Sequence, residues 1–223
     1  MIAESWNDRI LNVYKPVGIT SYDVVRKIKK ITGLKKVGHG GTLDPFAEGV
    51  LLILTGKATK RMTEILKYSK SYEATLRLGE STPTGDNTSD FIKVLEVPNF
   101  TQLDLDKVGK RFLGEIEQVP HRYSAKKIKG QPAYKLARKG IKFSLTPVLI
   151  RIYELKLVSV DSHTIEIYVT CSRGTYIRVL GEDIAKALGT VGHLTTLKRI
   201  RIGKYSSEDS VSLDKLEEVF YNY

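Results

Sequence analysis

The sequence has little cysteine and no long apolar segment. Cys171 is the only cysteine in 223 residues, so an intrachain disulfide is impossible and a zinc site built on several thiolates is excluded. The longest unbroken apolar run is Val50–Leu54, far short of the roughly 20 residues that a membrane-spanning helix needs. The N-terminus has no basic start followed by an apolar stretch, the pattern of a secretory signal. We therefore expect a reduced, cytoplasmic protein that does not associate with membranes.

Acidic residues are scarce, and their scarcity is concentrated in two stretches. The chain has 36 Lys and Arg against 25 Asp and Glu, a net charge of +11. No acidic residue lies between Glu117 and Glu154, and none lies between Val24 and Leu43, although both stretches are rich in Lys and Arg. One such run is usually a solvated helix face, but two in one chain favour a nucleic-acid partner. A membrane surface is disfavoured because neither run carries a bulky apolar face.

The apolar periodicity predicts strands and helices along the whole chain. A helix is predicted to start at Ser21 as its N-cap and to end at Gly33, and Val50–Thr55 has the pattern of a buried strand. Pro147–Val160 and Thr164–Thr170 are typical of an antiparallel hairpin. Because helices do not recur between every pair of strands, we predict an α+β fold with a mixed, mostly antiparallel sheet flanked by helices. We expect residues 1–223 to form a single domain with a mobile polar loop near residues 80–90.

The most unusual segment is the glycine-rich stretch GHGGTLDP, from Gly38 to Pro45. Its three glycines allow the backbone to approach a ligand closely, and they place His39 and Asp44 on a loop before the buried strand. A plain turn would explain the His-Gly-Gly part alone. A phosphate-binding loop is excluded by the spacing of the next two glycines and by Ala58, which stands where that motif needs Ser or Thr.

Five ordered motifs resemble those of the TruB family of tRNA pseudouridine synthases. The segment Val37–Leu51, VGHGGTLDPFAEGVL, resembles the family's nucleophile motif, and Tyr14–Ser21, YKPVGITS, resembles its Lys-Pro motif. Three further stretches agree in order and spacing: Lys70–Ala74, Gln118–Lys126 and Cys171–Arg178. The resemblance runs from about Ile10 to Tyr205, which is nearly the whole chain.

The resemblance implies a pseudouridine synthase fold and an isomerase that needs no cofactor and no metal. Its substrate would be one uridine in the T-loop of tRNA, position 55 in tRNA nomenclature, within the T-arm. The N-glycosidic bond breaks, the uracil turns over, and a carbon–carbon bond forms to the same ribose. The base must be flipped out of its stack to be reached. We expect a monomer that uses no guide RNA and lacks the small C-terminal RNA-binding (PUA) domain found in many family members.

The resemblance also assigns the catalytic residues. Asp44 matches the family nucleophile, and Arg178 matches its partner arginine, whose charge favours the ionised carboxylate. Tyr72 matches the tyrosine that packs against the uracil face and is a candidate for proton transfer, although a tyrosine is common in any strand. The residues leave open whether Asp44 attacks ribose C1′ or uracil C6, or supports a route through a deprotonated sugar.

Other matched positions are expected to bind the substrate. His39 would stack in the space that the flipped base leaves, while Tyr176 and Leu197 would line the uridine pocket. Leu197 fits a core position of a strand equally well. Lys15 is expected to support the catalytic loop, and Asp90 is expected to belong to an element that clamps the RNA.

The basic run between Glu117 and Glu154 supplies the expected contacts to the RNA backbone, namely Arg122, Lys126, Lys127 and Lys129. The remaining histidines, His121, His163 and His193, are interpreted as ordinary surface or core residues. Two competing functions are a non-catalytic RNA-binding or tRNA-folding module and a pseudouridine synthase that acts on ribosomal RNA or with a guide RNA. Basic charge alone does not separate them, but the set of Asp44, Tyr72 and Arg178 favours an enzyme.

Overall fold

The computed structural model of the chain describes residues 6–216 and 218, and within them it confirms the predicted α+β fold. The strands are β1 Ile10–Lys15, β2 Val37–His39, β3 Glu48–Thr55, β4 Lys70–Leu78, β5 Glu80–Ser81, β6 Lys93–Val94, β7 Gly114–Gln118, β8 Lys127–Ile128, β9 Gln131–Pro132, β10 Val148–Asp161, β11 Thr164–Cys171, β12 Gly192–Ile202, β13 Tyr205–Ser206 and β14 Val211–Ser212. The helices are α1 Ser21–Thr32, α2 Met62–Leu66, α3 Gln102–Phe112, α4 Ala133–Arg138 and α5 Ile177–Ala187, with a 3₁₀ helix at Gly56–Arg61.

The chain divides into two compact units. The first comprises Met1–Ser71 with Lys198–Tyr223, and the second comprises Tyr72–Leu197. Strand pairing is mostly antiparallel, with parallel pairs of β1 with β14 and of β3 with β12. The expectation of a single catalytic domain over residues 1–223 stays a prediction. No helix among the described residues has the length and apolar character needed to cross a membrane.

The first unit is built around β3, which is buried on both faces. Leu51 and Ile53 point to one side, where they pack with α1, and Val50, Leu52 and Leu54 point to the other, where Ile65 of α2 lies. Side chains alternate between the two faces of a strand, so an unbroken apolar run fits a strand that is covered on both sides. The prediction of a buried strand here is confirmed, although it starts two residues earlier, at Glu48.

Helix α1 begins one residue earlier than predicted. Its N-cap is Thr20, whose side chain accepts a hydrogen bond from the backbone N–H of Asp23, while the Asp23 carboxylate accepts one from the Thr20 N–H. This reciprocal pair is a capping box, and the prediction of Ser21 as the cap is therefore wrong. Gly33 ends the helix with φ +67°, a left-handed conformation that glycine adopts without strain. The Ser21 hydroxyl is thereby left available for another contact, described below.

The second unit contains the predicted hairpin and two helices that flank its sheet. Strands β10 and β11 pair antiparallel up to Asp161 and Thr164, β7 pairs with the other edge of β10, and α3 packs against β10. The strand order in this unit is β12–β4–β11–β10–β7. Helix α5 buries Leu180 and Ile184 together with the charged Arg178 near its first turn. A buried arginine needs polar partners, which the loops of this unit provide.

Candidate functional site

The glycine-rich stretch forms a tight loop that follows β2 in the first unit. The Gly40 N–H donates a hydrogen bond to the Leu52 carbonyl of β3 at 2.7 Å. A Cβ atom at Gly40 would lie 2.6 Å from a side-chain carbon of Ile65, and Gly41 has φ +121°. Both positions therefore favour glycine, the first for lack of space and the second for its backbone conformation.

The backbone is anchored on both sides of Asp44. The Leu43 N–H donates to the Ser21 hydroxyl at 2.9 Å, and the same hydroxyl contacts the Leu43 carbonyl at 3.0 Å. On the other side, the Gly18 N–H donates to the Pro45 carbonyl at 2.8 Å. None of these bonds uses the carboxylate of Asp44. The loop therefore presents a carboxylate from a fixed backbone, which is what a nucleophile or an ionised electrostatic group requires.

Lys15 is fully buried at the end of β1. Its ammonium donates to the carbonyls of Pro16 and Ile19 at 2.8 and 2.9 Å, which closes the turn that carries Gly18. Burial lowers the pKa of Lys15 to about 8, and the nearby charge of Asp44 opposes this decrease. These contacts agree with the predicted supporting role, which itself stays a prediction. His39 lies half-buried in β2, where burial and then the charge of Arg199 lower its pKa.

Arg199 of β12 is a residue of this unit that the sequence analysis missed. Its side chain is almost completely buried. Its guanidinium donates to the carbonyls of Val50, Thr42 and Gly41 at 2.8, 3.1 and 3.2 Å. The only sequence signal was an arginine at an inward-facing position of an alternating strand.

In the second unit, the polar contacts centre on Arg178. Its guanidinium donates to the carbonyls of Thr84 and Tyr123 at 2.5 and 3.0 Å, and one terminal nitrogen lies 3.5 Å from a carboxylate oxygen of Asp86. The side chains of Arg178 and Asp86 are both almost completely buried. Arg178 therefore joins the loop near residues 80–90 to the segment that follows β7.

Within that loop, the structure buries Asp86 and leaves Asp90 exposed. The Asp86 carboxylate accepts hydrogen bonds from the Thr84 hydroxyl at 2.7 Å and from the Thr88 N–H at 3.0 Å. The clamping role expected of Asp90, and the mobility expected of the loop, stay predictions. The sequence shows two aspartates in one polar loop and contains no signal for which of them folds inward.

His121 was interpreted as an ordinary residue, but it lies next to Arg178. Its Nδ1 atom lies 3.4 Å from the guanidinium and accepts a hydrogen bond from the Tyr123 N–H at 3.1 Å. Burial, reinforced by the charge of Arg178, lowers the pKa of His121 to about 3. Glu182, whose carboxylate lies 3.9 Å from His121 Nε2, has its pKa raised to about 7, chiefly by burial. At neutral pH the imidazole is therefore uncharged, and Glu182 is close to its titration midpoint.

We expect Glu182 to make stability pH-dependent. Its folded pKa of about 7 exceeds the ordinary value of 4.5, so the folded state binds more protons between these values, and the stability from Glu182 is lost as pH rises through them. Relative to Glu182→Gln, the wild-type urea midpoint should therefore fall between about pH 5 and about pH 7.5. Glu115→Gln, an exposed glutamate of the same unit, is the matched control. A difference between wild type and Glu182→Gln that does not vary with pH would contradict the expectation.

The remaining predicted pocket residues also lie in the second unit. Tyr176 immediately precedes α5, and the buried Gln118 side chain binds both its N–H, at 2.8 Å, and its carbonyl, at 3.1 Å. Tyr72 of β4 and Leu197 of β12 are both buried. The assignment of these side chains to a uridine pocket stays a prediction.

Part of the basic run between Glu117 and Glu154 folds into a small hairpin, which is followed by α4. Strands β8 and β9 pair antiparallel around Lys129 and Gly130, which both have positive φ. Lys127 and Lys129 are exposed, Arg122 lies over the ring of Phe143, and the half-buried Lys126 donates to a carbonyl at 3.3 Å. The hairpin therefore presents at least two lysines to solvent, as a phosphate-binding surface would.

Comparison with known proteins finds the same family across most of the chain. Residues 29–177 match the family described as TruB family pseudouridylate synthase (N terminal domain), and residues 178–223 match the tRNA pseudouridylate synthase B C-terminal domain. Among curated proteins, the tRNA pseudouridine synthase B of Caldanaerobacter subterraneus is 44% identical over 95% of this chain and 74% of its own. The enzyme of the same name from Hydrogenovibrio crunogenus is 43% identical over 97% of this chain and 72% of its own.

Solved structures give a related result. The chain resembles a protein in a crystal structure of a Cbf5-Nop10-Gar1 complex, with a TM-score of 0.77 and 30% identity over 99% of this chain. It also resembles a chain in a structure of an H/ACA RNP bound to a substrate RNA containing 2′-deoxyuridine, with a TM-score of 0.73 and 28% identity. This chain covers 57% and 56% of those two chains.

Proposed function

The chain belongs to the TruB family of pseudouridylate synthases, and from this we propose that it isomerises uridine 55 in the T-loop of tRNA to pseudouridine. The observation that carries the proposal is the loop that presents Asp44 between two backbone anchors, at Leu43 and Pro45. A carboxylate fixed in this way suits a reaction whose transition state needs a group at one defined position. A non-catalytic RNA-binding module has no need for such a loop.

The proposed roles follow from the residues of each unit. Asp44 acts as the nucleophile or as the ionised group that assists cleavage of the glycosidic bond. Tyr72 packs against the uracil, and the guanidinium of Arg178 supplies a fixed positive charge. The isomer has the atoms of the substrate, because C5 loses a proton, N1 gains one, and the bond from C1′ moves from N1 to C5. The balance therefore needs no oxidant, reductant or other co-reactant.

We propose that the protein acts as a monomer in the cytoplasm without a guide RNA. Support for the absence of a guide RNA comes from the higher identity to the tRNA pseudouridine synthase B proteins, 44% and 43%, than to the chains from the Cbf5 and H/ACA complexes, 30% and 28%. Those complexes nevertheless favour a second candidate, a subunit that works only within a ribonucleoprotein. The two candidates differ in whether the isolated chain modifies RNA.

The test is incubation of the purified chain with an unmodified tRNA transcript, followed by carbodiimide treatment and primer extension. We expect a stop that reports pseudouridine at position 55, and no stop in a transcript with cytidine at that position. Product only after addition of a guide RNA or partner proteins would favour the second candidate. Product in ribosomal RNA alone would contradict the choice of tRNA.

We expect the hairpin of β8 and β9 to contribute to tRNA affinity through phosphate contacts. Neutralising Lys126, Lys127 and Lys129 together as Gln should weaken tRNA binding at low salt. It should also reduce the slope of log K against log salt by up to about 2–3, since each phosphate contact contributes about 0.7–0.9. The rate at saturating tRNA should barely change, because backbone contacts position the RNA without touching the reacting base. Kd values across a salt series measure both quantities.

The matched control neutralises three other exposed lysines of the same unit, Lys107, Lys110 and Lys186. This variant has the same net charge as the hairpin variant, so a general charge effect would change both slopes equally. A hairpin variant whose slope equals that of the wild type would show that this surface does not contact tRNA.

A further inference from the structure

Arg199 stands out because its charge lies in the interior of the first unit. Its side chain is among the largest that are fully buried there, and the three hydrogen bonds given above all end on backbone carbonyls. Burying a guanidinium is costly unless its N–H groups are satisfied. An aliphatic residue would be sufficient for packing at this position. The hydrogen bonds of Arg199 therefore indicate a role beyond packing.

Two of those contacts are to the loop that carries Asp44. The two terminal nitrogens bind the carbonyls of Gly41 and Thr42 separately, while Nε binds Val50 of the neighbouring strand β3. The planar guanidinium therefore spans from a buried strand to the loop in a single rigid group. Lysine has one nitrogen on a flexible stem and cannot reproduce this fork.

The base of the Arg199 side chain is held as firmly as its tip. Arg199 pairs with Gly49 in the parallel ladder of β12 and β3, and a Cβ atom at Gly49 would lie 2.3 Å from the Arg199 carbonyl oxygen. The two backbones therefore approach as closely as only glycine allows. Because both ends of the Arg199 side chain are fixed, the position of β3 determines where the Gly41 and Thr42 carbonyls of the loop lie.

We propose that Arg199 is a positioning residue for the isomerisation, which sets the location of the Asp44 carboxylate by holding the Gly41 and Thr42 carbonyls. The inference rests on the proposed function, because the loop matters only if Asp44 acts in the reaction. A displacement of about 1 Å at a reacting group can cost about 100-fold in rate. Loss of the fork should therefore reduce the rate of chemistry much more than it reduces tRNA affinity.

The charge of Arg199 is a separable part of its effect. Burial is the main cause of the lowered pKa of His39 and of Lys15, and the charge of Arg199 adds to both decreases. The charge of Asp44 opposes the decrease at Lys15, so Arg199 and Asp44 both act on this buried lysine. Arg199→Lys retains a positive charge and removes the fork, whereas Arg199→Met removes both. A comparison of the two variants therefore separates the effect of the hydrogen-bond geometry of Arg199 from the effect of its positive charge.

The experiment measures the single-turnover rate and the Kd for an unmodified tRNA transcript. We expect Arg199→Lys to lower the rate about 100-fold with Kd within about threefold, and Arg199→Met to lower the rate at least as far. Arg201→Lys is the matched control, because Arg201 lies two positions along β12 and is exposed. Its rate should equal that of the wild type. A wild-type rate for Arg199→Lys would overturn the proposal.

A merely structural role is tested by Val24→Ala, which removes volume from the core cluster of the same unit. Val24→Ala and Arg199→Lys are compared by their melting temperatures and single-turnover rates. If the two variants lost the same melting temperature and the same rate, Arg199 would have no specific role. Gly41→Ala disturbs the same loop at φ +121° and displaces one of the carbonyls that Arg199 holds while the arginine itself is retained, and this variant is used if Arg199→Lys does not fold. It should also lower the rate with Kd retained, and an unchanged rate would contradict the proposal. A wild type that forms no pseudouridine would instead contradict the proposed function.

Discussion

Replacing Asp44 with Asn should abolish pseudouridine formation while tRNA affinity changes by no more than a few-fold. The amide keeps the shape of the side chain but is neither a nucleophile nor an anion, and loss of a nucleophile typically costs on the order of 10⁴-fold or more in rate. The loop should keep its conformation, because Leu43 and Pro45 are anchored by bonds that do not use the carboxylate. Carbodiimide mapping at position 55 and a filter-binding Kd measure the two quantities.

The control for this prediction is Asp106→Asn, an exposed aspartate on α3, which should leave both quantities at the wild-type level. Turnover of Asp44→Asn near the wild-type rate would remove Asp44 from the mechanism. A large loss of affinity with normal turnover would instead place Asp44 in binding. The route of attack, through ribose C1′ or uracil C6, is a separate question that this variant does not address.

The second large effect is expected for Arg178→Lys. The guanidinium binds the carbonyls of Thr84 and Tyr123 and lies beside the carboxylate of Asp86. An ammonium on a flexible stem keeps the charge but cannot make these contacts together. Buried carbonyls that lose their donor carry a desolvation cost. We expect the single-turnover rate to fall roughly 100-fold with the fold intact, as circular dichroism and the melting temperature would verify.

Arg173→Lys is the matched control, because Arg173 lies in the same motif and is exposed. Normal turnover of Arg178→Lys would mean that only the charge of Arg178 matters, and that the contacts of its guanidinium with the Thr84 and Tyr123 carbonyls are not needed for the reaction. Loss of rate in both variants would indicate a general effect on the segment before α5.

The sequence by itself determined the local elements and the family. Strands β3, β10 and β11 lie within two residues of their predicted bounds, because a period of two residues or an unbroken apolar run is visible wherever a strand is buried. The five motifs named a family that the comparisons confirm, because each combines rare residues at a set spacing. The N-cap of α1 was misplaced by one residue, since Thr20 and Ser21 are both good caps and only the reciprocal bond with Asp23 separates them.

Only the tertiary structure decided which polar residues enter the interior. Asp86 rather than Asp90 meets Arg178, His121 lies beside the same guanidinium, and Arg199 holds the loop of Asp44. The physical reason is that the partners of these buried groups are distant in sequence, and those of Arg199 are backbone carbonyls, which every residue carries and which leave no mark in the sequence. Which carbonyl a distant arginine reaches depends on how strands separated by more than 100 residues come together.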